Sequence, residues 1–523
     1  MTRKILIIIL LPVFSFGQNI DNLFSERGEI YFSFKYESKH QLNIISDIIS
    51  IDHKTNSELA FAYANRKEFN KFLKFDIEFS VIPYTPPNII TKNKNNWDYY
   101  PTYQEYIDLM TSFSLAFPDI CKLHDLGTLN SGRKILIAQI SNNVGQKEDK
   151  PSFLYTSSMH GDELAGYILS LRLIDYLLNN YGTNQKVTNL VNGVDIWINP
   201  LANPDGAYYH IPPSWLNLPI GNTNEIDYPK RYNANNIDLN RNYPDPEDGP
   251  NPDGNAYQTE TNIFLGLADT VNFSMAANMH GGAEVCNYPW DTWSNVAADD
   301  SWWQYVSNEY ANECQLNSIN GYFNYLNNGI TNGNDWYEVD GGRQDYMNYF
   351  KYCRELTLEL SDDKTPNPND LPNLWEANYR SLLNFIEQSL FGLRGIITDS
   401  LTGNPLIAKV EIIGHDVDSS HVYSNLPIGN YHRYLIQANY NVKFSKNGYH
   451  TKIINTTILN NTTVVKNIEL VPENISTTNI TEEEFIKNKQ VSLDILGREN
   501  KKDANEILLS IEKNKIKKQI KVE

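Results

Sequence analysis

Between residues 96 and 390, short apolar runs alternate with longer stretches in which apolar positions recur every three or four residues. Lys134–Ile140, Phe153–Ser158, Val194–Ile198, Phe273–Met279 and Leu356–Leu360 read as strands. Tyr103–Phe117, stopped by Pro118, reads as an amphipathic helix, as do Trp302–Cys314 and Trp375–Leu390. A further strong helix is expected over Leu164–Asn180, closed near Gly182. Strands and helices in this order predict an α/β fold, a mixed central sheet flanked by helices.

Two smaller units flank it. In residues 18–95, Glu29–Lys35 alternates as a strand does. Gln41–Ile49 is helix-like, Glu58–Tyr63 strand-like, Glu68–Leu73 helical and Asp76–Ile82 a last strand. This order predicts a small α+β domain, followed by a linker at Tyr84-Thr-Pro-Pro87 and Lys92–Asn96. Residues 391–472 carry short apolar runs between turns, at Gly395–Thr398, Ala408–Ile413, Tyr431–Gln437, Asn441–Phe444 and Val464–Leu470. Helical periodicity is absent there, and a small β-sandwich is expected. Residues 473–523 read as a polar linker and a short segment that ends in a lysine-rich run, Lys513–Lys521.

Residues 1–17 have the form of a signal peptide: Arg3 and Lys4, then the apolar Ile5–Phe16, with cleavage at Gly17-Gln18. The apolar run is short for a bilayer, and no later stretch is long and apolar enough to span one. Export is therefore expected, to the extracellular medium or a bacterial cell surface.

The length of 523 residues allows two to four domains. A formal net charge of -19 argues against a nucleic-acid partner and is compatible with cationic substrates. Cys121, Cys286, Cys314 and Cys353 permit three full disulfide pairings, and the spacing favours none. They lack the close paired spacing of a cysteine zinc cluster.

His160-Gly-Asp-Glu163 sits between a hydrophobic strand and a helix, so its imidazole and carboxylate can face one point. Such a pair alone is common on surfaces. His280 ends a second apolar strand, and two His with one Glu form a catalytic zinc set that leaves a position open to water. Open α/β sheets place sites at the carboxyl ends of strands, where both histidines lie. In Asn235–Pro244, Arg241 offers the planar fork that matches a carboxylate, and Arg231 lies just upstream. Glu359 interrupts the apolar run Thr357-Leu-Glu-Leu360, where a buried charge needs a partner or a role.

Together these segments resemble the zinc metallocarboxypeptidase family, in particular its carboxypeptidase N/E-type (regulatory) subgroup. Further matching pieces are Asn203-Pro-Asp-Gly206, Asp238-Leu-Asn-Arg-Asn-Tyr-Pro244 and Asn287-Tyr-Pro-Trp-Asp291. Gly329-Ile-Thr-Asn-Gly333, Trp336-Tyr337 and Gly341-Gly-Arg-Gln-Asp345 continue the series in family order. The resemblance implies His160, Glu163 and His280 as ligands of one Zn²⁺, and Glu359 as general base and proton shuttle. It implies Arg231 as the group that polarises the scissile carbonyl, and Asn240 with Arg241 as the grip on the substrate's terminal carboxylate. Tyr337 would close over the substrate, and Arg133 would be a secondary substrate-binding arginine. Asp291, Gly333 and Gln344 match the pocket that gives the subgroup its preference for C-terminal Lys and Arg. Arg343 departs from the apolar residue usual beside that Gln, and is expected to point away from the pocket.

The implied activity is removal of C-terminal residues from peptides or proteins. Residues 391–472 resemble the transthyretin-like domain of the subgroup, and residues 18–95 have the element order of the family's propeptide domain. The tail, through Leu496-Gly-Arg498 and its last lysine-rich strand, is similar to the sorting domains of bacterial type IX secretion substrates. Two other readings stand beside this one: a zinc amidase acting on cell-wall peptides or acyl amino acids, which has no need of Asp291, and an inactive surface-displayed binding module.

Overall fold

Burial on both faces of the central strands organises the molecule. Every residue of Ser152–Ser157 and of Asp195–Asn199 is buried, as expected of strands covered by helices on either side. The computed structural model describes residues 20–55, 58–87, 96–210, 221–222, 225–318, 321–473, 507–512 and 515–520. The expected signal peptide, most of the linker run 92–96 and the Leu496-Gly-Arg498 segment lie outside the described residues.

The central sheet has eight strands. In spatial order they are Ile330–Asn332, Ala283–Tyr288, Arg354–Ser361, Phe273–His280, Ser152–Ser157, Asp195–Asn199, Lys134–Ile140 and Cys121–Thr128. The four from Arg354–Ser361 to Asp195–Asn199 run parallel. The strands outside them join antiparallel to that block. The mixed α/β sheet expected from the sequence is thus present. Helix Tyr103–Ala116 starts at a capping box made by Thr102 and Glu105, and helix Ala165–Asn180 is buried along most of its length. Separate apolar clusters line the two faces of the sheet.

The N-terminal region forms a four-stranded antiparallel sheet, ordered Ser50–Lys54, Leu59–Asn65, Glu29–Lys35, Phe79–Val81. Helices Ile20–Arg27, Lys39–Ser46 and Arg66–Phe72 accompany it, and Phe32, Phe34, Phe69 and Phe72 form much of its core. The sequence pattern left Ser50–Lys54 unassigned, between the expected helix Gln41–Ile49 and the expected strand Glu58–Tyr63, and did not mark helix Ile20–Arg27. Beyond the central sheet, residues 392–470 form two small sheets on one shared core, with Leu393 and Ile397 from one facing Val410, Val442 and Phe444 of the other. Asp299 of the central α/β region ties this part down. Its carboxylate lies 2.9 Å from Arg433 and 2.7 Å from Arg354. The described residues up to Val471 belong to one compact unit and those from Pro472 onward to a second, in which Ile507–Glu512 pairs antiparallel with Lys515–Ile520.

All four cysteines are buried free thiols, so none of the three pairings is made. Among the described residues no helix is long and apolar enough to cross a membrane.

Candidate active site

The site forms where the parallel strands end. His160 follows strand Ser152–Ser157, His280 is the last residue of its own strand, and Glu359 lies directly beside His280 in the sheet register. Gly161 makes the first turn possible. A Cβ there would sit 2.3 Å from the Gly206 carbonyl carbon, and its N–H donates to the Arg231 carbonyl at 3.1 Å. The Asn203-Pro-Asp-Gly206 turn is therefore packed against the His160 turn without space for a side chain.

Glu163 Oε2 lies 3.0 Å from His160 Nδ1 and 2.8 Å from His280 Nδ1, and the two Nδ1 atoms are 3.1 Å apart. Bonds of about 2.0–2.1 Å in a tetrahedral zinc site place neighbouring ligand atoms about 3.3–3.4 Å apart, a few tenths of an ångström beyond these separations. Asp238 takes the other ring nitrogen of His160 at 2.9 Å, which leaves Nδ1 free of its proton. The Asn278 amide lies 2.9 Å from His280 Nε2. The residues present fit one Zn²⁺.

Charge is concentrated in this buried site. Burial pushes the Glu163 carboxyl up, but His160, Lys364 and His280 outweigh it and hold the group well below the usual carboxylate range. Glu359 moves the other way: burial, with repulsion from Glu163, raises it well above that range. Burial lowers His280 to about 4, against the pull of Glu163. Glu359 Oε2 is buried and has no hydrogen-bond partner. Arg231 lies between carboxylates, 3.1 Å from Glu163 and 3.2 Å from Asp238.

Arg241 bonds the Asn240 carbonyl through one NH at 3.0 Å, while its Nε and second NH are buried and unpartnered. Asn240 Oδ1 accepts from the Arg343 N–H at 3.0 Å. Asp291 accepts from Asn287 and Gln344 at 3.0 Å each, and burial pushes its carboxyl up to about 7. Gly333 keeps this corner open, because a Cβ would lie 1.8 Å from Asp291 Oδ1.

One cavity is lined by His160, Glu163, His280, Glu359, Arg231, Asn240, Arg241, Asp291, Gly333 and Tyr337. Gln344 stands behind Asp291 rather than on the wall. Arg133 is not brought in: its guanidinium pairs with Asp205 at 3.1 Å and lies over the rings of Tyr103 and Tyr208. Arg343 points away as expected, to Glu355 at 3.1 Å and to Thr156.

Two wall or near-wall groups have no counterpart in the sequence reading. Asp52, from the N-terminal strand Ser50–Lys54, lies on the cavity wall, 3.9 Å from Arg231. Lys364 joins it, 2.6 Å from Asp52 and 2.7 Å from Glu163. The cavity that remains is about 30 Å³, room for water but not for an amino acid.

The zinc carboxypeptidase family model matches residues 106–381. Mouse carboxypeptidase D is 33% identical over 387 residues, which covers 70% of this chain and 26% of that protein. The chain thus spans about a quarter of the length of that relative. The mouse carboxypeptidase N catalytic chain is 32% identical over 399 residues, 68% of this chain and 82% of that one. The crystal structure of carboxypeptidase A from Helicoverpa armigera superposes with a TM-score of 0.52 at 16% identity, over 68% of this chain and 96% of that one, and shares the fold. With the His160, Glu163 and His280 set converged at the ends of the central strands, the chain belongs to the zinc carboxypeptidase family.

Proposed function

We propose that this chain is an exported carboxypeptidase that hydrolyses the last peptide bond of peptides or proteins, with a preference for C-terminal Lys and Arg. The observation that carries the exopeptidase reading is Arg241, whose two unpartnered buried donors belong to a residue on the same cavity as Glu359 and the metal set. Buried guanidinium donors left without partners are costly unless a ligand completes them. A terminal carboxylate is the matching fork.

Zinc held by His160, Glu163 and His280 supplies Lewis acidity, which acidifies water and polarises a carbonyl. Glu359 takes the proton of the attacking water and passes it to the leaving amine. Arg231 donates to the carbonyl oxygen as negative charge develops there. Asn240 and Arg241 fix the substrate's end, so that only the final bond reaches Glu359. Tyr337 closes the cavity beside them, and Asp291 awaits a basic side chain, with Gln344 and Gly333 shaping its surroundings. Residues 18–95 serve as a propeptide-like cover, and residues 391–472 as a transthyretin-like support. The tail is the segment for bacterial secretion machinery.

The test is release of C-terminal Arg, Lys, Phe or meso-diaminopimelate from matched substrates, with and without chelator. Activity is expected to vanish on zinc removal and to return with Zn²⁺. Selective release of diaminopimelate would favour the amidase reading instead, and no turnover by zinc-loaded protein freed of its cover would favour the inactive module.

Asp291 supplies a second expected result. Burial raises its carboxyl to about 7, so its charge is lost as pH falls below that value. The ratio of kcat/KM for Arg over Phe substrates should then fall about tenfold per pH unit below 7 and level off above it. The ratio cancels the titration of Glu359, which both substrates share. Asp291→Asn should lower the ratio about 10–100-fold and flatten its pH profile.

A further inference from the structure

We infer that Lys364 is a positioning residue for the metal ligand Glu163, and that the N-terminal domain holds on to the same ammonium. The two oxygens of Glu163 have divided duties. Oε2 faces both imidazoles, and Oε1 receives Lys364 Nζ at 2.7 Å and Arg231 at 3.1 Å. Arg231 divides its donors between Glu163 and Asp238 and also serves the substrate carbonyl, whereas Lys364 has no duty toward the substrate.

Its backbone fixes it for this task. The Lys364 carbonyl accepts from the Leu164 N–H at 2.7 Å, next to Glu163 in the chain, and Thr365 Oγ1 donates to the Asp162 carbonyl at 2.8 Å. Segment 364–365 therefore clamps the same turn that carries two of the metal ligands. Lys364 Nζ also reaches the Gly281 carbonyl at 3.3 Å, directly after the third ligand, His280. One ammonium thus bridges both ligand-bearing turns. Partners of metal-bound groups orient them in this way.

The fourth contact of Lys364 is Asp52, at 2.6 Å. A simpler role, an ion pair that only docks the N-terminal domain, predicts that losing either partner has the same effect and leaves the metal alone. A positioning role predicts that they differ, because Lys364→Met removes the support of Glu163 and Asp52→Asn does not.

This inference rests on the assignment of His160, Glu163 and His280 as zinc ligands. The test is zinc affinity of the full-length protein, measured by competition with a chromophoric chelator. Lys364→Met and Lys364→Gln are compared with Lys364→Arg and Asp52→Asn. Met and Gln are expected to weaken zinc binding about 10–100-fold, with Arg restoring most of the affinity and Asp52→Asn staying within about threefold of the parent. The visible spectrum of the Co²⁺-loaded Met variant should shift from that of the parent. Thermal unfolding of the zinc-free proteins separates this from loss of fold: an equal melting temperature with weakened zinc supports positioning. A Met or Gln variant that binds zinc as tightly as the parent, or an Asp52→Asn that weakens it equally, overturns the inference. A parent that binds no zinc overturns the ligand assignment with it.

Discussion

Glu359→Gln is expected to lower kcat about 10³-fold or more while zinc content and melting temperature stay at the parent's level. Glutamine has the shape of glutamate but cannot accept the proton of water, and positioned proton transfer contributes about 10²–10⁴-fold. The side chain sits beside His280 in the sheet, with Oε2 buried and unpartnered. Burial and the nearby Glu163 raise its carboxyl above the usual carboxylate range. A neutral amide of the same shape leaves no buried charge to desolvate, which is why stability should not fall. The measurement is kcat on a peptide ending in Arg, with the N-terminal cover removed and zinc content determined. A variant as fast as the parent would show that another group moves the proton.

What the sequence made legible is chemistry carried by local pattern. His160 and His280 end apolar strands, and Glu359 lies within one, so the alternation of buried and polar positions located all three. The flanking helices were equally plain, because their apolar faces repeat. Less visible was anything whose burial depends on a distant layer. Ser50-Ile-Asp-His-Lys54 has no apolar alternation, yet Ile51 is buried in the N-terminal core while Ser50 and Asp52 are buried against Asp238, Arg231 and Lys364 of the catalytic region. Asp52 was lost with that strand. Strand Ala283–Tyr288 was missed for the same reason, as Glu284 and Asn287 break its apolar run. Lys364 follows two aspartates and reads as a solvated turn; only the fold reveals its partners on three separate segments. Arg133 shows the converse. Its motif position suggested substrate, but Asp205, far along the chain, takes its guanidinium.

Release of residues 18–95 is expected to raise kcat/KM on small peptides about 100-fold or more. The argument is geometric. The N-terminal strand Ser50–Lys54 presents Asp52 to Arg231 and Lys364, and the Asp52 carbonyl accepts from Tyr337 Oη at 3.4 Å. Helix Lys39–Ser46 holds the loop that carries Gly333 and Tyr337, with Lys39 on Asn334 at 3.2 Å and Asn43 on Glu338. Glu29 accepts from the backbone N–H groups of Arg231 and Tyr232 at 3.1 and 3.0 Å. These contacts leave about 30 Å³ at the metal set, so a substrate binds only in the fraction of molecules whose cover has moved. If about 1% are open, apparent affinity falls about 100-fold, and removing the cover restores it. The segment between Pro87 and Asn96 is the place to cut, with an engineered protease site there and separation of the two products. Asp52→Asn in the uncut protein should give part of the gain, because it removes the charge between Arg231 and Lys364 but leaves the Glu29 and Asn43 contacts. Equal activity before and after removal, with zinc content and fold of the catalytic part unchanged, would mean that the cover does not restrict access.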